Sequence, residues 1–146
     1  MLSVGTIRIR VLLWAKNSMF LSSMTTMSKI LVVDDMQAEL ELICQQLTKA
    51  GHTILTAANG EEALHQARAN QPDAIVTDWM MPVMGGLELC RHLKKQPETA
   101  SIPIVACTAK NREVDRIWAM KQGVKVYLTK PYTAEDLVNA IQEVIG

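Results

Sequence analysis

The chain has few aromatic side chains, no long apolar run and no excess of one charge, and each shortage excludes a class of function. Only 4% of its 146 residues are aromatic, and 15 basic residues balance 15 acidic ones. Direct nucleic-acid binding relies on a basic face and stacking rings, so we expect none. The most apolar run, residues 11–15, stops at Lys16, far short of the roughly 20 residues that cross a bilayer. We therefore expect a soluble, cytoplasmic protein with no membrane partner.

Cysteine is also scarce, which argues against a disulfide-stabilised or zinc-binding domain. The three cysteines form neither a CxxC pair nor an even set, and each falls in a predicted helix or strand among apolar neighbours: Cys44, Cys90 and Cys107. We expect them to be reduced, buried thiols.

The first 27 residues differ in composition from the rest of the chain. They contain three basic residues and no acidic ones, so the remainder has 12 basic and 15 acidic residues and a net charge of −3. Lys16 and Asn17 interrupt the apolar core that a signal peptide requires. We expect residues 1–27 to be a disordered extension, or the result of a start site assigned too early, and residues 28–146 to form the folded domain.

From Lys29 onward, short apolar runs alternate with helical periods, which is typical of βα units and a parallel sheet. The strands are predicted at residues 30–33, 53–57, 74–77, 104–107 and 124–128, mostly without polar alternation, as in a sheet covered on both faces. A helix is predicted after each strand, and the fifth opens with a capping-box-like spacing from Thr133 to Asp136. The pattern predicts an α/β domain with a doubly wound, five-stranded parallel sheet and five helices.

Polar side chains follow four of these strands at the point where each strand ends. Asp34 and Asp35 follow the first strand, and the other three groups follow the third, fourth and fifth strands: Asp78, Thr108 and Lys130. In an open parallel sheet, ligands bind at the carboxyl ends of the strands. Each residue alone has an ordinary structural interpretation, such as a helix cap, a loop carboxylate or a surface charge. Their convergence from four strands predicts one site.

Three carboxylates gathered at one edge require a counter-cation. At about 4 Å and an effective dielectric constant near 20, each pair repels by about 4 kcal/mol, and the single Lys130 cannot neutralise all three. Carboxylate, carbonyl and water oxygens suit Mg²⁺ better than Ca²⁺ in a shallow site. The histidines are expected at the surface, away from this edge, so no zinc site is predicted: His52, His65 and His92.

Together these motifs resemble the receiver domains of two-component response regulators. The resemblance covers residues 28–146 and rests on five motifs in order: Asp34-Asp35, Asp78, Met81-Pro82 with Gly86, Thr108-Ala109 and Lys130-Pro131. It implies a flavodoxin-like sheet with strand order 2-1-3-4-5, and a cis peptide bond between Lys130 and Pro131.

The resemblance also implies the chemistry of the site. Asp78 is then the phosphoacceptor, which takes a phosphoryl group from the phosphohistidine of a sensor histidine kinase or a histidine phosphotransfer protein. The implied Mg²⁺ ligands are three carboxylates and one backbone carbonyl: Asp34, Asp35, Asp78 and Met80. Met80 cannot hydrogen-bond an attacking water, so we expect a persistent phosphorylated state.

Three further residues acquire roles from the resemblance. Lys130 and Thr108 contact phosphate oxygens. Tyr127 resembles the switch residue that turns inward with Thr108 and reshapes the surface of helix 4, strand 5 and helix 5, where a downstream protein binds. Because the sequence ends just after the fifth helix, we expect a stand-alone receiver that accepts phosphate stoichiometrically and is not an enzyme.

Two alternatives remain open. A magnesium-dependent phosphatase of the haloacid dehalogenase type also uses an aspartate nucleophile, but it needs a second acid two residues later, and residues 34–37 lack that spacing. A non-phosphorylated interaction module is disfavoured because every acid, hydroxyl and lysine of the site is present.

Overall fold

The computed structural model describes residues 28–145, in which five strands alternate with five helices. The strands are β1 (Lys29–Val33), β2 (Thr53–Ala57), β3 (Ala74–Asp78), β4 (Ile104–Thr108) and β5 (Val124–Thr129). The helices are α1 (Gln37–Lys49), α2 (Gly60–Asn70), α3 (Gly86–Lys95), α4 (Glu113–Lys121) and α5 (Ala134–Ile145). The expectation for residues 1–27 lies outside the described part of the chain.

The five strands form one parallel sheet in the order β2-β1-β3-β4-β5, which confirms the predicted α/β class, strand order and helix count. The inner strands β1, β3 and β4 are almost entirely buried, whereas much of β2 and β5 is partly exposed. Strands at an edge have a neighbour on one side only, so their side chains are less completely covered.

The helices cover both faces of this sheet and create two apolar layers. Successive residues of a strand point to opposite faces, so Leu31 of β1 packs in one layer and Ile30 in the other. The first layer includes Leu89 and Leu93 of α3, and the second includes Leu137 of α5. Full burial of such a side chain contributes roughly 1.5–3 kcal/mol, so the sheet is a rigid support for the residues at its ends.

Local signals mark the ends of three helices, and the start of α5 agrees with its predicted capping box. At α5, the amide of Asp136 donates to the Thr133 hydroxyl at 3.0 Å, and the amide of Thr133 donates to the Asp136 carboxylate at 3.0 Å. Gly51 and Gly123 follow α1 and α4 with φ of 98° and 106°, a backbone region that glycine adopts without strain.

Two predictions about individual side chains were wrong. His52 is only 5% exposed, because it sits in the tight turn between α1 and β2, where its Nδ1 accepts the amide of Ser28 at 3.2 Å. Cys44 is half-buried, whereas Cys90 and Cys107 are buried as expected; all three are free thiols.

Candidate functional site

The carboxyl ends of four strands bring the predicted polar residues to one edge of the sheet. Asp34 directly follows β1, Asp78 and Thr108 are the last residues of β3 and β4, and Lys130 directly follows β5. The amide of Lys130 donates to the carbonyl oxygen of Thr108 at 2.7 Å, which extends the β4–β5 pairing to the site. The peptide bond between Lys130 and Pro131 is cis, in agreement with the prediction.

Three carboxylates form a tight cluster at this edge. Asp34, Asp35 and Asp78 each offer an oxygen, and these oxygens lie within 4.8 Å of one another. Asp34 is 1% exposed and Asp78 is 8% exposed, whereas Asp35 faces solvent. Backbone amides orient the two buried carboxylates: Met36 donates to Asp34 at 2.9 Å, and Met80 donates to Asp78 at 3.4 Å.

Burial makes this cluster costly to ionise. It raises the pKa of Asp34 to about 7, although the hydrogen bond from the Met36 amide opposes the shift. Burial also raises the pKa of Asp78, and the positive charge of Lys130 opposes it. A positive charge placed beside these carboxylates would therefore favour their ionised form.

The donor set fits a hard divalent cation. Carboxylate oxygens are the preferred protein ligands of Mg²⁺, and the exposed side of Asp35 leaves room for the waters that this ion retains. In residues 28–145, this is the one group of three or more acidic, histidine or cysteine side chains arranged to hold a metal. The contribution of the Met80 carbonyl stays a prediction.

Glu39 belongs to the site and was missed by the sequence analysis. Its carboxylate lies 2.7 Å from the Lys130 ammonium, which is 3.6 Å from the nearest oxygen of Asp78. Burial alone would lower the pKa of Lys130, but the hydrogen bond to Glu39 and the charge of Asp78 raise it above its ordinary value. One sequence signal could have identified Glu39, namely its place in the first turn of α1. Side chains of a helix lean toward the amino-terminal end of that helix.

The backbone of Lys110 links the two predicted switch residues. Its amide donates to the Thr108 hydroxyl at 3.2 Å, and its carbonyl oxygen accepts the Tyr127 hydroxyl at 2.9 Å. Thr108 is fully buried, whereas Tyr127 is partly exposed. The loop after β4 therefore connects the site with the outer side of β5.

An apolar surface lies next to this loop, on the outer side of α4. Four large side chains there are exposed, among them Trp118 at 48%: Val114, Ile117, Trp118 and Met120. This exposure of Trp118 fits a surface that contacts a partner protein and does not fit burial against the sheet.

Among residues 28–145, no helix has both the length and the apolar character that crossing a bilayer would need.

Comparison with known proteins assigns the chain to a family. The family model for the response regulator receiver domain matches residues 30–142. Protein PilH of Pseudomonas aeruginosa is 39% identical over 120 residues, which cover 82% of this chain and 99% of PilH. The regulatory protein PhoP of Bacillus subtilis is 40% identical over 112 residues, but these span only 45% of PhoP and 77% of this chain.

Solved structures show the same relationship. The chemotaxis response regulator CheY4 of Vibrio cholerae superposes with a TM-score of 0.76 at 32% identity, covering 81% of this chain and 98% of CheY4. The receiver domain of a sensor histidine kinase from Pseudomonas aeruginosa, with a magnesium ion coordinated in its active site cleft, gives a TM-score of 0.76 at 30% identity, covering 82% and 98% of the two chains. The fold, the acidic cluster at the carboxyl ends of the strands and these relatives all agree. The chain belongs to the receiver domains of two-component response regulators.

Proposed function

We propose that Asp78 is the phosphoacceptor in a magnesium-dependent transfer from a phosphohistidine. Receiver domains are regulatory switches that act with histidine kinases and downstream targets, and this chain belongs to that family. The observation that carries the proposal is the geometry of Asp78, whose oxygen lies within 4.8 Å of those of Asp34 and Asp35 and 3.6 Å from the Lys130 ammonium. No other carboxylate in residues 28–145 ends a strand with these neighbours.

The transfer is a displacement at phosphorus. An oxygen of Asp78 forms a bond to phosphorus while the N–P bond of the phosphohistidine breaks, and the imidazole nitrogen keeps the electron pair and takes a proton from solvent. Asp34, Asp35, Asp78 and the Met80 carbonyl would hold a magnesium ion, which would supply positive charge beside the phosphoryl oxygens. Lys130 then pairs with one of these oxygens, and the Thr108 hydroxyl donates to another.

The donor protein must approach from the side where α1 meets the loop after β5. A cavity of about 450 Å³ opens there and is bordered by Leu42, Pro131 and Tyr132 beside Lys130. Leu42 is largely exposed. An apolar surface adjoining the phosphoacceptor suits a partner that has to bring its histidine to Asp78, which supports a histidine kinase or a phosphotransfer protein as the donor.

We propose that a downstream protein binds on the opposite side of the same edge of the sheet. When Thr108 closes on the phosphoryl group, the backbone of Lys110 shifts with it and releases Tyr127, which turns inward. This movement reshapes the surface of α4, β5 and α5, where Ile117 and Trp118 are exposed for a downstream protein.

Labelling with radioactive acetyl phosphate and Mg²⁺ tests the proposal. The wild-type chain should incorporate one phosphoryl group per molecule, and Asp78→Asn should incorporate none. Asp73→Asn is the matched control, because Asp73 lies at the amino ends of the strands, directly before β3. Its carboxylate accepts the Lys29 amide at 2.8 Å. Removing Mg²⁺ with a chelator should also abolish labelling.

Two results would count against the assignment. Equal labelling of the wild-type chain and Asp78→Asn would remove Asp78 from its role. Continuous release of phosphate, in place of a stoichiometric adduct, would favour the phosphatase alternative.

A further inference from the structure

Glu39 has no place in the transfer as proposed, yet it makes the shortest contact of Lys130. The Lys130 ammonium lies 2.7 Å from Glu39 and 3.6 Å from Asp78, so its nearest anion is on α1 and not at the phosphoacceptor. The ion pair is partly shielded, with side-chain exposures of 23% for Lys130 and 37% for Glu39. A charge-assisted contact of this length orients a flexible lysine.

We propose that Glu39 is a positioning residue that holds Lys130 in the unphosphorylated protein and competes with the phosphoryl group for it. This inference rests on the proposed function of Asp78. An incoming phosphoryl group offers Lys130 a new anionic partner, so the lysine must exchange Glu39 for a phosphoryl oxygen. Glu39 therefore sets how readily Lys130 becomes available, without touching the reacting atoms.

The same carboxylate also affects the metal site, in the opposite direction. Glu39 adds a negative charge beside Asp34 and Asp78, which favours a divalent cation. Replacing it with glutamine keeps its shape and removes its charge. Glu39→Gln should therefore bind Mg²⁺ more weakly but react faster with a phosphodonor once Mg²⁺ is saturating.

The test measures both quantities on the full chain. Calorimetry gives the Mg²⁺ affinity, and labelling by acetyl phosphate at saturating Mg²⁺ gives the rate. Because partly exposed ion pairs contribute modestly, we expect each to change by about two- to fivefold in Glu39→Gln. Glu41→Gln is the matched control, since Glu41 is exposed on the same helix and accepts a hydrogen bond from Gln37 at 3.1 Å.

Two further measurements separate a role through Lys130 from a structural one. In a Lys130→Met background, Glu39→Gln should no longer accelerate labelling. In ¹⁵N-lysine spectra of the chain without phosphodonor, the Lys130 side-chain signal should move in Glu39→Gln and stay in place in Glu41→Gln.

The inference is overturned if Glu39→Gln labels no faster than the wild-type chain at saturating Mg²⁺, if the acceleration persists without Lys130, or if the Lys130 signal does not move. Failure of the proposed function has a different signature, because then the wild-type chain itself incorporates no label while the Lys130 signal still reports on Glu39.

Discussion

Individual side chains of this protein owe their properties to where the fold buries them, and His52 shows this away from the functional site. Its Nδ1 accepts the Ser28 amide at 3.2 Å, and its Nε2 is buried without a hydrogen-bond partner among the described residues. Burial lowers the pKa of His52 below the 6.5 of the free side chain. Protonation in the folded state would remove the acceptor of the Ser28 amide.

The shift predicts how stability depends on pH. Below pH 6.5 the unfolded chain binds a proton at His52 more readily than the folded protein does. The contribution of His52 is therefore fully present above pH 6.5 and is lost as the pH falls toward the lower folded-state pKa. Urea unfolding at pH 7.5 and at pH 5 should give a smaller difference in His52→Asn than in the wild-type chain.

His65→Asn is the control for this experiment, because His65 is exposed on α2. It should leave the pH dependence of stability unchanged. Identical pH dependence in the wild-type chain and His52→Asn would contradict the prediction.

Met80 provides a second prediction at this scale. It is 55% exposed, two residues beyond Asp78, and its thioether is a poor hydrogen-bonding partner for a water that attacks the phosphoryl group. We expect the isolated phosphoprotein to keep its label. Met80→Asn should lose label faster, as measured by the radioactivity that remains on the protein over time. Met120→Asn, on α4, is the control; rapid loss from the wild-type chain would refute the expectation.

The acids at the strand ends could be predicted from the sequence, whereas Glu39 and His52 could not. Asp34 and Asp78 interrupt apolar runs, and the parallel arrangement of the strands brings such interruptions together. The role of Glu39 depends on where α1 begins and how far the helix leans over the sheet. The burial of His52 depends on Ser28, whose amide contacts it at the α1–β2 turn. This is a tertiary contact, which local sequence patterns do not indicate.

At the scale of elements, the first turn of α2 packs closely on the loop between β3 and α3. A Cβ atom at Gly60 would lie 2.7 Å from the backbone oxygen of Met84 and 2.8 Å from its Cβ atom. Backbone atoms cannot give way as a flexible side chain can. Gly60→Ala should therefore lower the free energy of unfolding by about 1–3 kcal/mol, as overpacking does, when measured by urea denaturation.

Gly85→Ala is the matched control in the same loop. A Cβ atom there would meet its nearest neighbours at 3.5 Å, which is ordinary van der Waals contact. If the two substitutions lower the free energy of unfolding equally, the short contact at Gly60 has no cost of its own, and the prediction is contradicted.

Element boundaries followed local signals where the chain supplies them. Gly51 and Gly123 follow the ends of α1 and α4, and Thr133 caps α5 as predicted. In contrast, β5 continues to Thr129 because that residue pairs with Thr108 across the sheet. Such a partner is distant in sequence, so local patterns cannot indicate it. At α1, the residue before the helix is Met36, which makes no side-chain cap.

At the scale of the whole molecule, the sheet determines which site residues lie on buried strands and which lie on loops. Three inner strands buried on both faces hold Asp78 and Thr108 at fixed positions, while the loops that leave the same edge carry Lys130, Met80 and Lys110. The fold class and this edge follow from the alternation of apolar runs and helical periods. The partners proposed to bind at this edge leave no comparable pattern in the sequence.

The Lys110 backbone has a consequence for the molecule as a whole. Its N–H donates to the Thr108 hydroxyl and its C=O accepts the Tyr127 hydroxyl, so two successive planar peptide groups that meet at the Lys110 Cα atom connect the two residues. Communication across it runs both ways by thermodynamic reciprocity. If Asp78 accepts a phosphoryl group as proposed, a protein that binds Tyr127 from outside will therefore change how tightly the site holds that group.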